Sequence, residues 1–165
     1  MAGVDERWGR CHARRMKRAI LVGIFAGVAL ICCAMAQEKG YWRAESNSAR
    51  SITGDVALSE EKVAIDFSSY TIARIRPLQP TELSAAFDAD SSAGGSGSLY
   101  RLDVPATKRF LHKNTLCGSD DTRWMATYVA GRSLHLAFFS GQRPPVLTLE
   151  ALSNSTDLCG TFSYV

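Results

Sequence analysis

From Lys62 to the C-terminus, apolar residues return at every second position in one segment after another. A period of two suits strands with one buried face and does not suit helices. In "KVAIDF", Val63, Ile65 and Phe67 fall on one side and Ala64 and Asp66 on the other. "SYTIARI" follows directly, with Ser68-Ser69 as the expected tight link between the two runs. "LYRLDV" sets Tyr100, Leu102 and Val104 against Arg101 and Asp103. "RWMATYV" groups Trp124, Ala126 and Tyr128, while "SLHLAFF" opposes Leu134, Leu136 and Phe138 to His135, Ala137 and Phe139. "VLTLEAL" and "LCGTFSYV" complete the series. Ala130-Gly131-Arg132 is short enough for a hairpin, since glycine accepts the positive φ that such a turn needs. Ser140–Pro145 makes a longer turn, so the four runs from Trp124 onward read as an antiparallel meander. "ITGDVAL" at Ile52–Leu58 adds a strand near the start. The expected fold is mainly β, a small antiparallel barrel or sandwich of about seven or eight strands.

Three segments depart from this period. "TELSAAF" after Pro80 is rich in helix formers, which predicts a short helix near 81–87 with Thr81 as its cap. "DSSAGGSGS" at 90–98 has the composition of a Gly/Ser-rich linker loop. Residues 37–50 are polar and unpatterned, and are expected to form a flexible N-terminal arm ahead of a single β domain over 51–165.

The chain opens differently. Lys17 and Arg18 precede an apolar run from Ala19 to Cys33, and Ala34-Met35-Ala36 supplies small residues in the A-x-A pattern. That order is a secretory leader, with cleavage expected between Ala36 and Gln37. Residues 1–36 are then a signal peptide, with 1–15 an extended n-region or a segment upstream of a start at Met16. Ala19–Ala36 also reaches the lower length limit of a membrane span, so an uncleaved anchor is the alternative. Neither Cys32 nor Cys33 has the small residue ahead of it that acylation requires. The expected location is therefore the periplasm or the exterior, with the membrane met only transiently through the leader.

Removing the leader changes the charge. Six of the nineteen basic residues and two of the sixteen acidic ones precede Gln37, leaving thirteen basic against fourteen acidic. No basic stripe survives to neutralise phosphates, which excludes nucleic acid as the expected partner. Of the five cysteines only Cys117 and Cys159 remain, each within Leu-Cys-Gly, and an even pair in an exported chain predicts a disulfide. His112 and His135 would complete a Cys2His2 set. Zinc ligands come in close pairs, however, and these four are scattered. No metal or other cofactor is expected.

Catalytic patterns are sparse. "GGSGS" puts Ser98 where the second glycine of G-x-S-x-G belongs. Asp120-Asp121, Asp88/Asp90 and Glu60-Glu61 sit in turn-like polar contexts that suit solvated carboxylates. "DADSSAGG" begins like a calcium loop but has Ala93 in place of the glycine and Leu99 in place of the bidentate Glu. The densest feature is aromatic and basic. Arg123, Trp124, Tyr128, Arg132, His135 and Arg143 form a candidate binding surface, since arginine and aromatic residues anchor interfaces. The expected function is a non-catalytic binding module of the periplasm or cell envelope, a protein inhibitor among the options, with an envelope protein or a small ligand as partner. The alternatives are a secreted hydrolase using His135 with a nearby carboxylate, and a membrane-anchored structural envelope protein.

The block "TLCGSDDTRWMATYV…LHLAFFSG…LCGTFSYV", within Leu99 to Val165, resembles small exported proteins of Gram-negative bacteria. That resemblance implies an exported β-protein and brings no catalytic residues with it. Gly97-Ser98-Leu99-Tyr100 is similar to the second half of the Ser-x-x-Gly-x-x-Tyr loop of bacterial inhibitors of c-type lysozyme. Gly94 stands where that loop has its serine, so the residue expected to enter the lysozyme active site is missing here.

Overall fold

A computed structural model describes residues 37–90 and 94–165. The leader over 1–36, Ala36 of the cleavage site included, lies outside the described residues. Among the described residues, nine strands form two antiparallel sheets. The first sheet runs β1 (Gly40–Trp42), β2 (Val56–Leu58), β3 (Lys62–Ile65), β4 (Ser68–Thr71), in that spatial order. The second runs β5 (Ala73–Pro77), β6 (Ser98–Val104), β7 (Thr122–Ala130), β8 (Ser133–Phe139), β9 (Leu158–Tyr164). The sheets meet at two corners. Only Ile72 separates β4 from β5, and just past β1 the chain pairs with the end of β9 through Arg43 and Val165, whose N–H···O bonds are 2.8 and 2.9 Å. Strand pairing gives two sheets and no closed barrel, so the fold is sandwich-like.

The alternation maps directly onto layers. Val63 and Ile65 of β3, Leu102 and Val104 of β6, Met125 and Val129 of β7, and Leu136 and Phe138 of β8 join Phe162 and Tyr164 between the sheets. Tyr164 is wholly buried, and its hydroxyl shares a 2.7 Å hydrogen bond with the buried Thr53. β7 and β8 are apolar on their other face as well, because that face is covered too. Leu83 of helix α1 (Pro80–Phe87), together with Leu78 and Leu147, packs there over Leu99, Trp124, Ala126, Tyr128, Ala137 and Phe139.

Several expectations require correction. Residues 37–50 are not a loose arm: β1 pairs with β2, Trp42 enters the core, and Ala49 is fully buried. The turn after β3 is Asp66-Phe67, both at positive φ (46° and 61°), so Ser68-Ser69 belongs to β4 and Phe67 points to solvent. Within "ITGDVAL" only Val56–Leu58 is strand, because residues 49–53 coil into a single wide helical turn that ends at Gly54 (φ 61°). Helix α1 is capped at Gln79, not Thr81. Pro80 takes the first helical position, and Glu82 reaches back to accept the Gln79 N–H at 2.9 Å. "VLTLEAL" is not a strand: Thr148 accepts the Ala151 N–H and starts a short helix α2 (Leu149–Ser153), so the meander has three strands.

The glycine tract is also not a linker where it is described. Ser96 pairs with Val129, and Gly97 lies so close to β7 that a Cβ there would overlap the Thr127 carbonyl oxygen and come within 2.8 Å of Leu83 Cδ2. Replacing Gly97 by Ala is therefore expected to cost about 1–3 kcal/mol by overpacking, read as a lower urea midpoint. The same change at Gly131, where no atom lies within 4 Å of the added Cβ, adds no such overlap.

Candidate functional site

The 140–157 connection between β8 and β9 builds a concave surface beside the five-stranded sheet. Trp124 Nε1 donates to the Gly141 carbonyl at 2.9 Å, and the Ser140 N–H donates to Asp157 O at 2.9 Å. Leu147 is buried and pins the middle of the connection, while Thr148 starts α2. Cys117 and Cys159 are joined by a disulfide, with Cα atoms 4.8 Å apart, which ties the 115–121 loop to β9 beside the connection. Gly141 permits the closure, since a Cβ there would sit 2.5 Å from Asp157 Oδ2.

Two grooves result, sharing the Pro144-Pro145-Val146 ridge. The first, about 1030 Å³, is polar and is lined by Asp120, Asp121, Arg123, Gln142, Arg143 and Asp157 among others. The second, about 670 Å³, runs between α1 and the 144–149 segment and includes Ala85, Leu147 and Leu149. Val146 is 65% exposed and Leu149 72%. Arg123 donates to Asp121 at 2.9 Å, and the other oxygen of Asp121 accepts the Ala106 N–H. Arg76 grips Glu82 with two bonds of 2.7 and 2.6 Å, which holds the Glu82 carboxyl below the usual carboxylate range. Arg143 makes no side-chain hydrogen bond or ion pair among the described residues, so its charge is available to a ligand.

A second constellation crosses the outer face of the five-stranded sheet. Register places Tyr128 beside His135 and His135 beside Ser163, and Glu45 N–H donates to Ser163 O one strand further on. His135 Nδ1 lies 3.0 Å from Ser163 Oγ, and the imidazole stacks on Tyr128 (5.7 Å) with Phe87 6.2 Å away. Burial pushes its pKa below the ordinary value, opposed by the Glu45 carboxylate, which favours the neutral ring. A serine and a neutral histidine at this separation can exchange a proton. A triad also needs a carboxylate on the other imidazole nitrogen, and none hydrogen-bonds His135 among the described residues.

Inside the sandwich, the Glu38 carboxylate accepts from the Thr127 hydroxyl and, at 3.0 Å, from Tyr100. Burial, followed by the Glu38 charge, pushes the Tyr100 hydroxyl up to about 12. These bonds anchor the start of the domain and are structural.

The six residues of the expected surface thus separate. Arg123 and Arg143 line the polar groove, and Trp124 is buried beneath its rim with the Arg101 guanidinium 4.8 Å above its ring. Tyr128 and His135 share the aromatic row, and Arg132 is exposed in the β7–β8 turn. No group of three or more metal-ligating side chains gathers among the described residues, and His112 instead places Nδ1 3.2 Å from Ser51 O. Sequence reasoning passed over Gln142, Val146, Leu149, Asp157 and Ser163. "RPPV" was the available signal, because two prolines hold Val146 in an extended, protruding backbone. No family model, curated protein or solved structure matches the chain.

Proposed function

We propose that the protein is an exported, non-catalytic binding module of the periplasm or cell envelope that docks a protein partner on the 140–157 connection. The observation that carries this reading is the pair of exposed side chains Val146, on the ridge between the two grooves, and Leu149 beside it, with Arg143, unpaired among the described residues, on the polar side. An apolar centre rimmed by hydrogen-bonding side chains is the anatomy of protein interfaces. Large exposed apolar side chains held on a braced backbone bury surface without ordering a loop, which removes one cost of association. The export pattern, the disulfide and the near-neutral charge of residues 37–165 suit the same setting. That no helix among the described residues is long and apolar enough to cross a membrane is compatible with it.

The test is the double variant Val146→Asp/Leu149→Asp. Both side chains are exposed, so the urea midpoint is expected to stay put while affinity for the envelope partner falls about tenfold or more. Native size separation of envelope extracts reads the outcome as a shift from a larger species to the free protein. An unchanged size distribution counts against the docking surface. The hydrolase reading rests on the 3.0 Å contact between His135 and Ser163. It ranks second because no carboxylate hydrogen-bonds His135 among the described residues. Labelling of Ser163 by an organophosphonate would favour it.

A further inference from the structure

We propose that a third cleft, on the solvent face of the four-stranded sheet, takes the protonated side chain of a lysine or arginine presented by a polypeptide. The register Tyr41, Ala57, Ala64, Ser69 lines up small side chains across that face, with Tyr41 at one end of the row. Ala57 and Ala64 form a low floor. Tyr41, Phe67 and Leu111 stand around it, and Asp55 and Asp66 join Thr53 and Gly54 in lining a cleft of about 240 Å³. That volume lies below the roughly 300–1,000 Å³ of ordinary small-molecule sites, and so suits one side chain rather than a whole free ligand.

The lining chemistry selects the charge. Two aromatic rings line the cleft, and aromatic faces attract a cation, while two carboxylates repel an anion. Asp55 is held ionised, below the usual carboxylate range, by the Tyr41 hydroxyl at 2.6 Å and the Ala44 N–H at 2.8 Å. Arg43 is near enough to favour that charge but does not hydrogen-bond to it. Asp66 has no side-chain hydrogen bond or ion pair among the described residues. Asp66 therefore keeps its whole acceptor capacity, while each Asp55 oxygen already accepts one bond and retains a lone pair.

Phe67 is the independent observation. Its side chain is fully exposed, at 106% of the reference area, on a backbone at φ 61° where a bulky residue is strained and glycine is not. It contributes nothing to either apolar core. A bulky residue that strains the turn and joins neither core is accounted for by contact with something outside the chain.

The experiment is an amide-shift titration of the exported protein with the peptide acetyl-Gly-Arg-Gly-amide, and with the same peptide carrying neutral citrulline. The expected result is a saturating response at Tyr41, Asp55, Asp66 and Phe67 to the arginine peptide and none to citrulline. Phe67→Gly is expected to keep or raise the urea midpoint while weakening binding about two- to fivefold, the loss of one exposed cation–π contact. Asp66→Asn weakens it too, and Val146→Asp/Leu149→Asp leaves it unchanged, which separates this cleft from the ridge. Equal responses to both peptides, a response confined to other residues, or full binding by Phe67→Gly would overturn the proposal. A response to phosphatidylcholine vesicles but not to the peptide would also overturn it, assigning the cleft to a lipid headgroup.

Discussion

Exchanging Cys117 and Cys159 together for alanine is expected to destabilise the domain by about 4 kcal/mol, the chain entropy returned to the unfolded state when a loop of this length opens. The two cysteines are 42 residues apart, and the loop they close contains β7, β8 and the whole 140–157 connection. The loss is a large share of the ~5–15 kcal/mol by which a domain is ordinarily stable. Urea unfolding of oxidised wild type against the double variant measures it, and wild type in reductant should match the variant. For the chain cleaved after Ala36, the same account fixes the alkylation pattern: Cys117 and Cys159 react after reduction and neither reacts before. A stability difference below ~1 kcal/mol would show that the sandwich holds itself together without the bridge.

Phe138→Ala is expected to cost about 3–5 kcal/mol, the usual range for emptying a buried phenylalanine site. Phe138 has no exposed surface and meets Phe162 edge-on at 5.5 Å, in the layer between the sheets. Little can collapse into the space, because Phe138 lies on β8, which is bonded to β7 on one side and β9 on the other. Phe67→Ala supplies the contrast. The alternating pattern puts both phenylalanines on apolar faces, yet Phe67 is expected to change stability by no more than about 0.5 kcal/mol. Parallel urea curves read both variants, and comparable losses would mean that the Asp66-Phe67 turn packs inward.

Those two residues also show what was legible in the sequence. Alternation located β3, β6, β7, β8 and β9 and their buried faces, because a strand with one wet side must repeat at two. It failed at Phe67 because a two-residue turn interrupts the period without glycine or asparagine to announce it. It failed again at "VLTLEAL". There alternation and a Thr148 cap compete, and burial of Leu147 under α1 decides for the helix. The polar run at 37–50 carried no periodic signal because its order comes from distant partners, Tyr100 and Thr127 holding Glu38 and β9 holding Arg43. The glycines before Ser98 looked flexible by composition, whereas Gly97 is there because β7 passes too close for a side chain.

The candidate site followed the same logic. Arg123 and Arg143 were legible as interface residues, and the groove does hold both. Trp124 and Tyr128 were not separable from the core by pattern, since β7 is covered on both faces. Val146 and Leu149 became visible only once the connection was seen to fold over the sheet with its prolines outward.

The most direct measurement is photo-crosslinking in living cells, with the crosslinker at Val146 on the ridge and, as control, at Lys62 on the opposite sheet. The account predicts one discrete envelope adduct from position 146, none of that mass from position 62, and loss of the adduct when Arg143 is changed to Glu. Equal or absent adducts from the two positions would contradict the ridge as the docking surface.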